Sequence, residues 1–237
     1  MRSTLAPGQL AELLEAHPLF RGRGVDCLRL IERCRVVFLD PDELLYCAGT
    51  RAECVFVVLT GALQIEYPTG ADVTRGYVVT ILVAPAFLGE SQALHQLNWS
   101  GTGVAITPLT AVCVGREDLE RTMLEAPAFA VCLYRELAQR FLLAIETRKA
   151  DLQLSPAQSI ARYLHGVTGA RLWAGLRGDP LEIRQVDIAR ATGLRRETVN
   201  RVLRDWTMAG DVRVTRTGLA GLTVERLVEL ANGATFI

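Results

Sequence analysis

"GLRRETVNRVLRDW", residues 193–206, decides how this chain is read. It crowds Arg195, Arg196, Glu197, Asn200 and Arg201 onto the first two turns of what the spacing predicts to be a helix, while Val199 and Leu203 mark an apolar face one turn apart. With the residues around it, "RQVDIARATGLRRETVNRVLRDWTMAG" reads as a short helix from Gln185 to Ala191, a turn at Thr192–Gly193 and a second helix from about Arg195 to Ala209. Ala189 allows the two helices to approach, and Gly193 supplies the positive φ of the turn. The expectation is a helix-turn-helix. Its second helix presents its polar, N-terminal end, which is the end that enters a major groove. Arginine grips O6 and N7 of guanine with two bonds and glutamate accepts from N4 of cytosine, so Arg196, Glu197 and Arg201, with Asn200 beside them, are candidate base readers. A plainer reading of the same residues is an i,i+4 ion pair, Glu197 with Arg201, on a solvated helix.

Just beyond, "DVRVTRTGLAGLTV" alternates like two short strands around a glycine-bearing turn, the wing of a winged helix. Arg213 and Arg216 on the wing, with Arg184, Gln185, Arg195 and Thr198 at the two helix starts, are candidate phosphate contacts.

Upstream, from Val36 to Val114, short β-branched runs ("RVVFL", "ELLYCAG", "CVFVVLTGALQIEY", "GYVVTILV", "GVAIT", "TAVCVG") are separated by Gly, Pro and Asp. That rhythm predicts an antiparallel barrel or sandwich. An amphipathic helix, "PGQLAELLEAH", precedes it, and a long helical run follows Pro127. Within that run Tyr134, Leu137, Phe141 and Ala144 fall at alternating spacings of 3, 4 and 3, a seam suited to pairing helices from two subunits. Extended downward the seam meets Arg148 and Asp151, and the breadth of the apolar face also allows the helix to pack on its own barrel. Ser155-Pro156-Ala157-Gln158 reads as a capping box with Pro at the first helical position, so a new helix starts there. The expected class is α+β, in three parts: a β-barrel domain over 1–126, a dimerisation helix over 127–154 and a winged helix-turn-helix over 155–237.

Composition narrows the function. The net charge is zero, but residues 1–126 hold 10 Arg against 15 Asp/Glu, whereas 181–216 hold eight arginines against five acids. The last domain therefore carries a small electropositive face. It is built from arginine, Lys149 being the one lysine, and arginine is the side chain suited to bidentate contacts. No run of about 18 apolar residues suggests a membrane span, no basic start followed by an apolar block suggests a secretory signal, and the expected address is the cytoplasm. The six cysteines, Cys27, Cys34, Cys47, Cys54, Cys113 and Cys132, form no CxxC and are expected to be small buried hydrophobes. His17, His95 and His165 are widely spread, which speaks against a cupin-type barrel enzyme with converging metal ligands. No catalytic or metal-binding residue is assigned.

The order barrel, long helix, winged helix, together with "GLRRETVNRVL" and the barrel stretch "DELLYCAGTRAECVFVVLTGALQIE" with Gly49 and Gly61, closely resembles the bacterial cyclic-AMP receptor protein/fumarate-nitrate regulator superfamily. The resemblance implies a cyclic-nucleotide-binding-like jelly roll (a double-stranded β-helix), a homodimer on a palindromic operator in double-stranded DNA, and RNA polymerase as a further partner. It places Arg196, Glu197 and Arg201 where the cyclic-AMP receptor branch reads bases, and so implies a TGTGA-like half-site. Asn200 sets the chain apart from the fumarate-nitrate branch, which has serine there. In nucleotide-binding members Gly-Glu is followed by Arg-Ser or Arg-Thr; here "FLGESQALHQLNWSGTGVA" keeps Gly89, Glu90 and Ser100, with Ser91 beside them, but puts Trp99 at the arginine position. Ala144 and Ile145 stand where the long helix would contact adenine. A buried phosphate without a cation is costly. The expected effector is therefore not cyclic AMP, and no cofactor is required by the sequence. A haem- or redox-sensing regulator is the alternative within the superfamily; His95 or a cysteine could serve a haem, whereas the spacing of Cys27 and Cys34 lacks the clustered cysteines of the iron–sulfur members.

Overall fold

The computed structural model describes residues 6–68, 76–151, 154–173, 181, 183–216 and 218–232, with only the backbone of 147–151 and 173. The charges of Arg148 and Asp151 thus lie outside the described side chains. Helices α1 (Pro7–Ala16) and α2 (Cys27–Arg33) precede the strands β1 (Arg35–Leu39), β2 (Leu44–Tyr46), β3 (Cys54–Thr60), β4 (Ala62–Pro68), β5 (Gly76–Val83) and β6 (Ala86–Leu88). A short α3 (Glu90–Leu94) leads to β7 (Thr102–Ala105) and β8 (Leu109–Gly115). Helices α4 (Arg116–Glu125) and α5 (Pro127–Asp151) are followed by α6 (Pro156–Trp173), α7 (Gln185–Thr192) and α8 (Arg196–Ala209). A ribbon of β9 (Arg213–Val214) and β10 (Leu219–Ala220), then α9 (Val224–Ala231), complete the fold.

The first eight strands form two antiparallel four-stranded sheets, ordered β1-β8-β3-β6 and β2-β7-β4-β5. β3, "CVFVVLT", is buried along both faces, which is why it is continuously apolar instead of alternating. Val55 and Val57 face a helical layer with Leu14, Phe20, Leu30, Phe129 and Leu133; Phe56 and Val58 face the jelly-roll interior with Leu63, Leu88, Trp99 and Ala111. Several elements, α2, α3, α4, α9 and β6, are not marked by the sequence reading. β6 is three residues long, and α4, "REDLERTMLE", buries only Leu119 and Thr122, too little for a clear apolar stripe.

The cysteine expectation needs correction. Cys54 and Cys113 are joined by a disulfide; Cys27, Cys34, Cys47 and Cys132 are free, and of these only Cys27 is fully buried. The reason is strand order: β3 lies against β8 with Cys54 opposite Gly115 and Phe56 opposite Cys113. The two cysteines are diagonal neighbours on one face, 5.9 Å apart at Cα.

α5 divides along its length. Phe129 and Leu133 are buried against the barrel and Leu137 is half-buried there, so Leu137 serves its own chain's core. Tyr134, Phe141, Leu142 and Leu143 are exposed, Phe141 by 66 %. Ala144 is exposed as well. The capping box forms: the Ser155 N–H donates to Gln158 Oε1 (2.9 Å) and the Gln158 N–H to Ser155 Oγ (3.3 Å), starting α6. Beyond it, Ile160, Leu164, Ile188, Val199, Leu203, Trp206 and Leu227 build a second core, and Ile81 of β5 belongs to it. The Tyr163 hydroxyl donates to the Val78 carbonyl (2.7 Å), and burial pushes its acidity further from neutral pH. The C-terminal domain is thereby seated on an outer strand of the barrel. Among the described residues no helix is long and apolar enough to cross a membrane.

Candidate functional site

The surface of α8 follows from where its apolar residues go. Val199, Val202, Leu203 and Trp206 are buried, and the opposite side exposes Arg196, Glu197, Asn200, Arg201 and Arg204. Residues 196, 200 and 204 form one i,i+4 row and 197 and 201 the next, so these side chains share a face. Among the described residues no ion pair or hydrogen bond joins Glu197 to Arg201. Their hydrogen-bonding capacity is open to an outside partner. Gly193 holds the turn with φ 70°, in open space, so conformation and not crowding requires glycine there. Arg195, the residue that opens α8, makes no side-chain cap, which leaves first-turn N–H groups for an external acceptor.

The phosphate candidates divide by environment. Arg195, Arg213 and Arg216 are exposed, and Gln185 and Thr198 are half-buried at the starts of α7 and α8. Arg184 is already engaged: its Nε and Nη2 reach both oxygens of the buried Asp187 (2.7 and 3.0 Å), and this hydrogen-bonded pairing raises the arginine's pKa. The wing pairs Leu219 with Val214 and Ala220 with Arg213. Arg226 of α9 anchors its base by donating to Asp211 (2.7 Å), just past the end of α8. Arg204, absent from the sequence expectation, extends the row begun by Arg196 and Asn200, a signal available from i,i+4 spacing alone.

In the barrel, Gly89 and Trp99 come together. Trp99 is 7 % exposed and stacks on Tyr46 (ring centroids 4.0 Å apart), with Phe56 behind (5.8 Å). Its backbone is clamped on both sides, the N–H donating to the Thr50 carbonyl and the carbonyl accepting from the Gly49 N–H, each at 2.8 Å. Gly89 has φ 91°, and a Cβ there would collide with the Trp99 ring. Glu90 is buried, and its Oε1 accepts from Arg140 Nη1 of α5 (3.1 Å), while Arg140 Nη2 donates to the Phe87 carbonyl (3.0 Å). Glu90 Oε2 is buried with no hydrogen-bond partner among the described residues. Ser91, Ser100 and Ala144 are exposed and Ile145 is half-buried; Arg140, one turn before Ala144, is the residue of α5 that reaches Glu90. Sequence reasoning missed Arg140 because nothing local marks an arginine 50 residues away as a partner. A cavity of about 150 Å³ lies against Arg140, lined in part by His17, Phe87, Leu133 and Glu136. It is smaller than the roughly 300 Å³ at which ligand clefts begin.

Among the described residues no group of three or more His, Cys, Asp or Glu is placed to hold a metal ion. Residues 36–126 match the cyclic nucleotide-binding domain model and residues 158–232 the Crp-like helix-turn-helix domain model. Neither matched model describes an enzymatic activity. The chain is 24 % identical over 229 residues to a CRP-like cAMP-activated global transcriptional regulator of Mycobacterium tuberculosis, covering 93 % of this chain and 99 % of the relative. In structure it resembles a crp/fnr-family transcriptional regulator from Eubacterium rectale, with TM-score 0.66, 17 % identity and 86 % and 92 % of the two chains covered. It also resembles a c-di-GMP responsive global regulator from Xanthomonas campestris, with TM-score 0.61, 17 % identity and 91 % and 99 % covered. A jelly roll, a long connecting helix and a winged helix-turn-helix, matched in the same order by both domain models, show that the chain belongs to the cyclic-AMP receptor protein/fumarate-nitrate regulator superfamily of bacterial transcription regulators.

Proposed function

We propose that the protein is a homodimeric, sequence-specific DNA-binding regulator that lays α8 in the major groove of each half of a palindromic operator. The observation that carries this reading is the exposed set Arg196, Glu197, Asn200 and Arg201, whose side chains pair with no other described residue, on the face opposite the buried Val199, Val202, Leu203 and Trp206. Such a set offers guanine and cytosine edges both donors and acceptors. Arg195, Arg213 and Arg216, with Gln185, Thr198 and Arg184, would hold the flanking phosphates and set register. Replacing Arg196 by Ala is expected to weaken operator binding by about 1–3 kcal/mol and to relax preference at one base pair per half-site. Selection of bound sequences from a random pool checks both; equal weakening on every sequence would demote Arg196 to a phosphate contact. Half-sites without guanines facing the arginines would overturn a TGTGA-like operator.

The barrel supports an effector other than cyclic AMP. Related proteins carry different nucleotides in their names, cyclic AMP in one and c-di-GMP in another, so the fold alone does not fix the ligand. Here an aromatic stack stands where a phosphate would need a cation, and Glu90 is bonded to the chain's own Arg140. Placing a phosphate beside Trp99 would strand its charge. Cyclic AMP and cyclic GMP are each expected to leave operator affinity unchanged in a fluorescence-anisotropy titration. Saturable binding of either nucleotide that tightens operator binding would show that Arg140 leaves Glu90 to hold the phosphate.

A further inference from the structure

We propose that Cys54 and Cys113 form a reversible thiol–disulfide redox site, in which Cys113 reacts first with an oxidant of the peroxide class and Cys54 resolves the product. The pair is set by the sheet. Diagonal positions on neighbouring strands bring the two Cα atoms to 5.9 Å, so closing or opening the bond requires no rearrangement of β3 against β8. Their roles follow from surroundings. Cys113 is half-buried and one strand in from the sheet edge formed by β1, whereas Cys54 is buried. Opposite Cys113 on β1 stands Arg35, and its Nη2 lies 3.8 Å from Cys113 Sγ. A guanidinium beside a sulfur favours the thiolate, the nucleophilic form. Cys27 and Cys34 are less favoured: burial, with Glu15 and Asp26 near the first and Asp118 near the second, pushes both thiols up to about 12, and Arg33 offsets this only in part at Cys34.

The chemistry balances with hydrogen peroxide as the oxidant. The Cys113 thiolate attacks one peroxide oxygen, the O–O bond breaks, and hydroxide leaves, giving the Cys113 sulfenic acid. The Cys54 thiol then attacks that sulfur; the S–S bond forms and the proton and hydroxyl depart as water. Two electrons pass from the cysteines to the peroxide. The cross-link sits in the same core cluster as Phe56 and Trp99, so the redox state is written beside the stack that fills the barrel. This chemistry is independent of whether α8 reads DNA.

The test uses the full chain and counts alkylatable thiols by mass spectrometry. Fully reduced protein carries six, and peroxide is expected to lower the number to four while a Cys54–Cys113 peptide appears. Dithiothreitol added to the folded protein should restore six. Arg35→Gln should slow oxidation by about threefold, because removing the guanidinium lowers the thiolate fraction while the higher intrinsic nucleophilicity of a more basic sulfur offsets part of that loss. In Cys54→Ser the Cys113 sulfenic acid should persist and react with dimedone. Six thiols surviving peroxide, loss of thiols from another pair, or a cross-link that dithiothreitol cannot open without denaturant would each overturn the proposal, the last by making the bond a static staple.

Discussion

Phe141→Glu is expected to turn the protein into a monomer in sedimentation and to lower operator affinity by roughly 10²–10⁴-fold, the loss that follows when two linked half-site contacts become one. The residue lies on a stretch of α5 where Tyr134, Phe141, Leu142 and Leu143 are all exposed although the same helix has buried Phe129 and Leu133 about three and two turns before Phe141. Tyr134 and Phe141, seven residues apart, share one face of the helix with Leu142 beside it, and exposed apolar side chains grouped in this way are what an association surface needs. Removing one such side chain from water stabilises an interface by about 1.5–3 kcal/mol, and a two-fold dimer counts the residue twice. A carboxylate in its place forfeits that and adds a buried like-charge pair across the axis. Leu137 is not the right probe, because it is half-buried on its own barrel and its loss would destabilise the subunit. A Phe141→Glu protein that still sediments as a dimer would show that another surface joins the subunits.

Trp99→Ala should lower the stability of the barrel by about 3–5 kcal/mol, read as a drop in the urea midpoint at unchanged slope. Trp99 is among the largest side chains of the jelly-roll core. It fills the volume between Tyr46, Phe56 and Gly89, and its clamped backbone leaves the neighbouring loop no easy way to collapse into the gap. The cavity left behind is lined by rings and aliphatic groups, so indole added in excess should recover part of the lost stability by binding the folded state alone. A cost under about 1 kcal/mol would mean that the ring is not packed as an integral part of the core.

The sequence by itself determined the elements whose signal is local. The helix-turn-helix was legible because Gly193, the spacing of Val199 and Leu203 and the arginine cluster all fall within a few turns, where the 3.6-residue period dictates which side chains share a face. The capping box at Ser155 and the apolar seam of α5 were legible for the same reason, whereas the reading of Trp99 at an arginine position came from the resemblance to the family and not from periodicity. Four features were decided only by the tertiary structure. They are the bond between Cys54 and Cys113, 59 residues apart; the hold of Arg140 on Glu90, 50 apart; the hydroxyl of Tyr163 on Val78, 85 apart; and the division of the α5 seam between Leu137 on its own barrel and an outward Phe141. Periodicity tells which face of its own element a residue occupies. It does not tell which other face will be laid against it, because that depends on sheet order and on how whole elements pack, and for Cys113 it was the placing of β8 between β1 and β3 that set Arg35 on one side and Cys54 on the other.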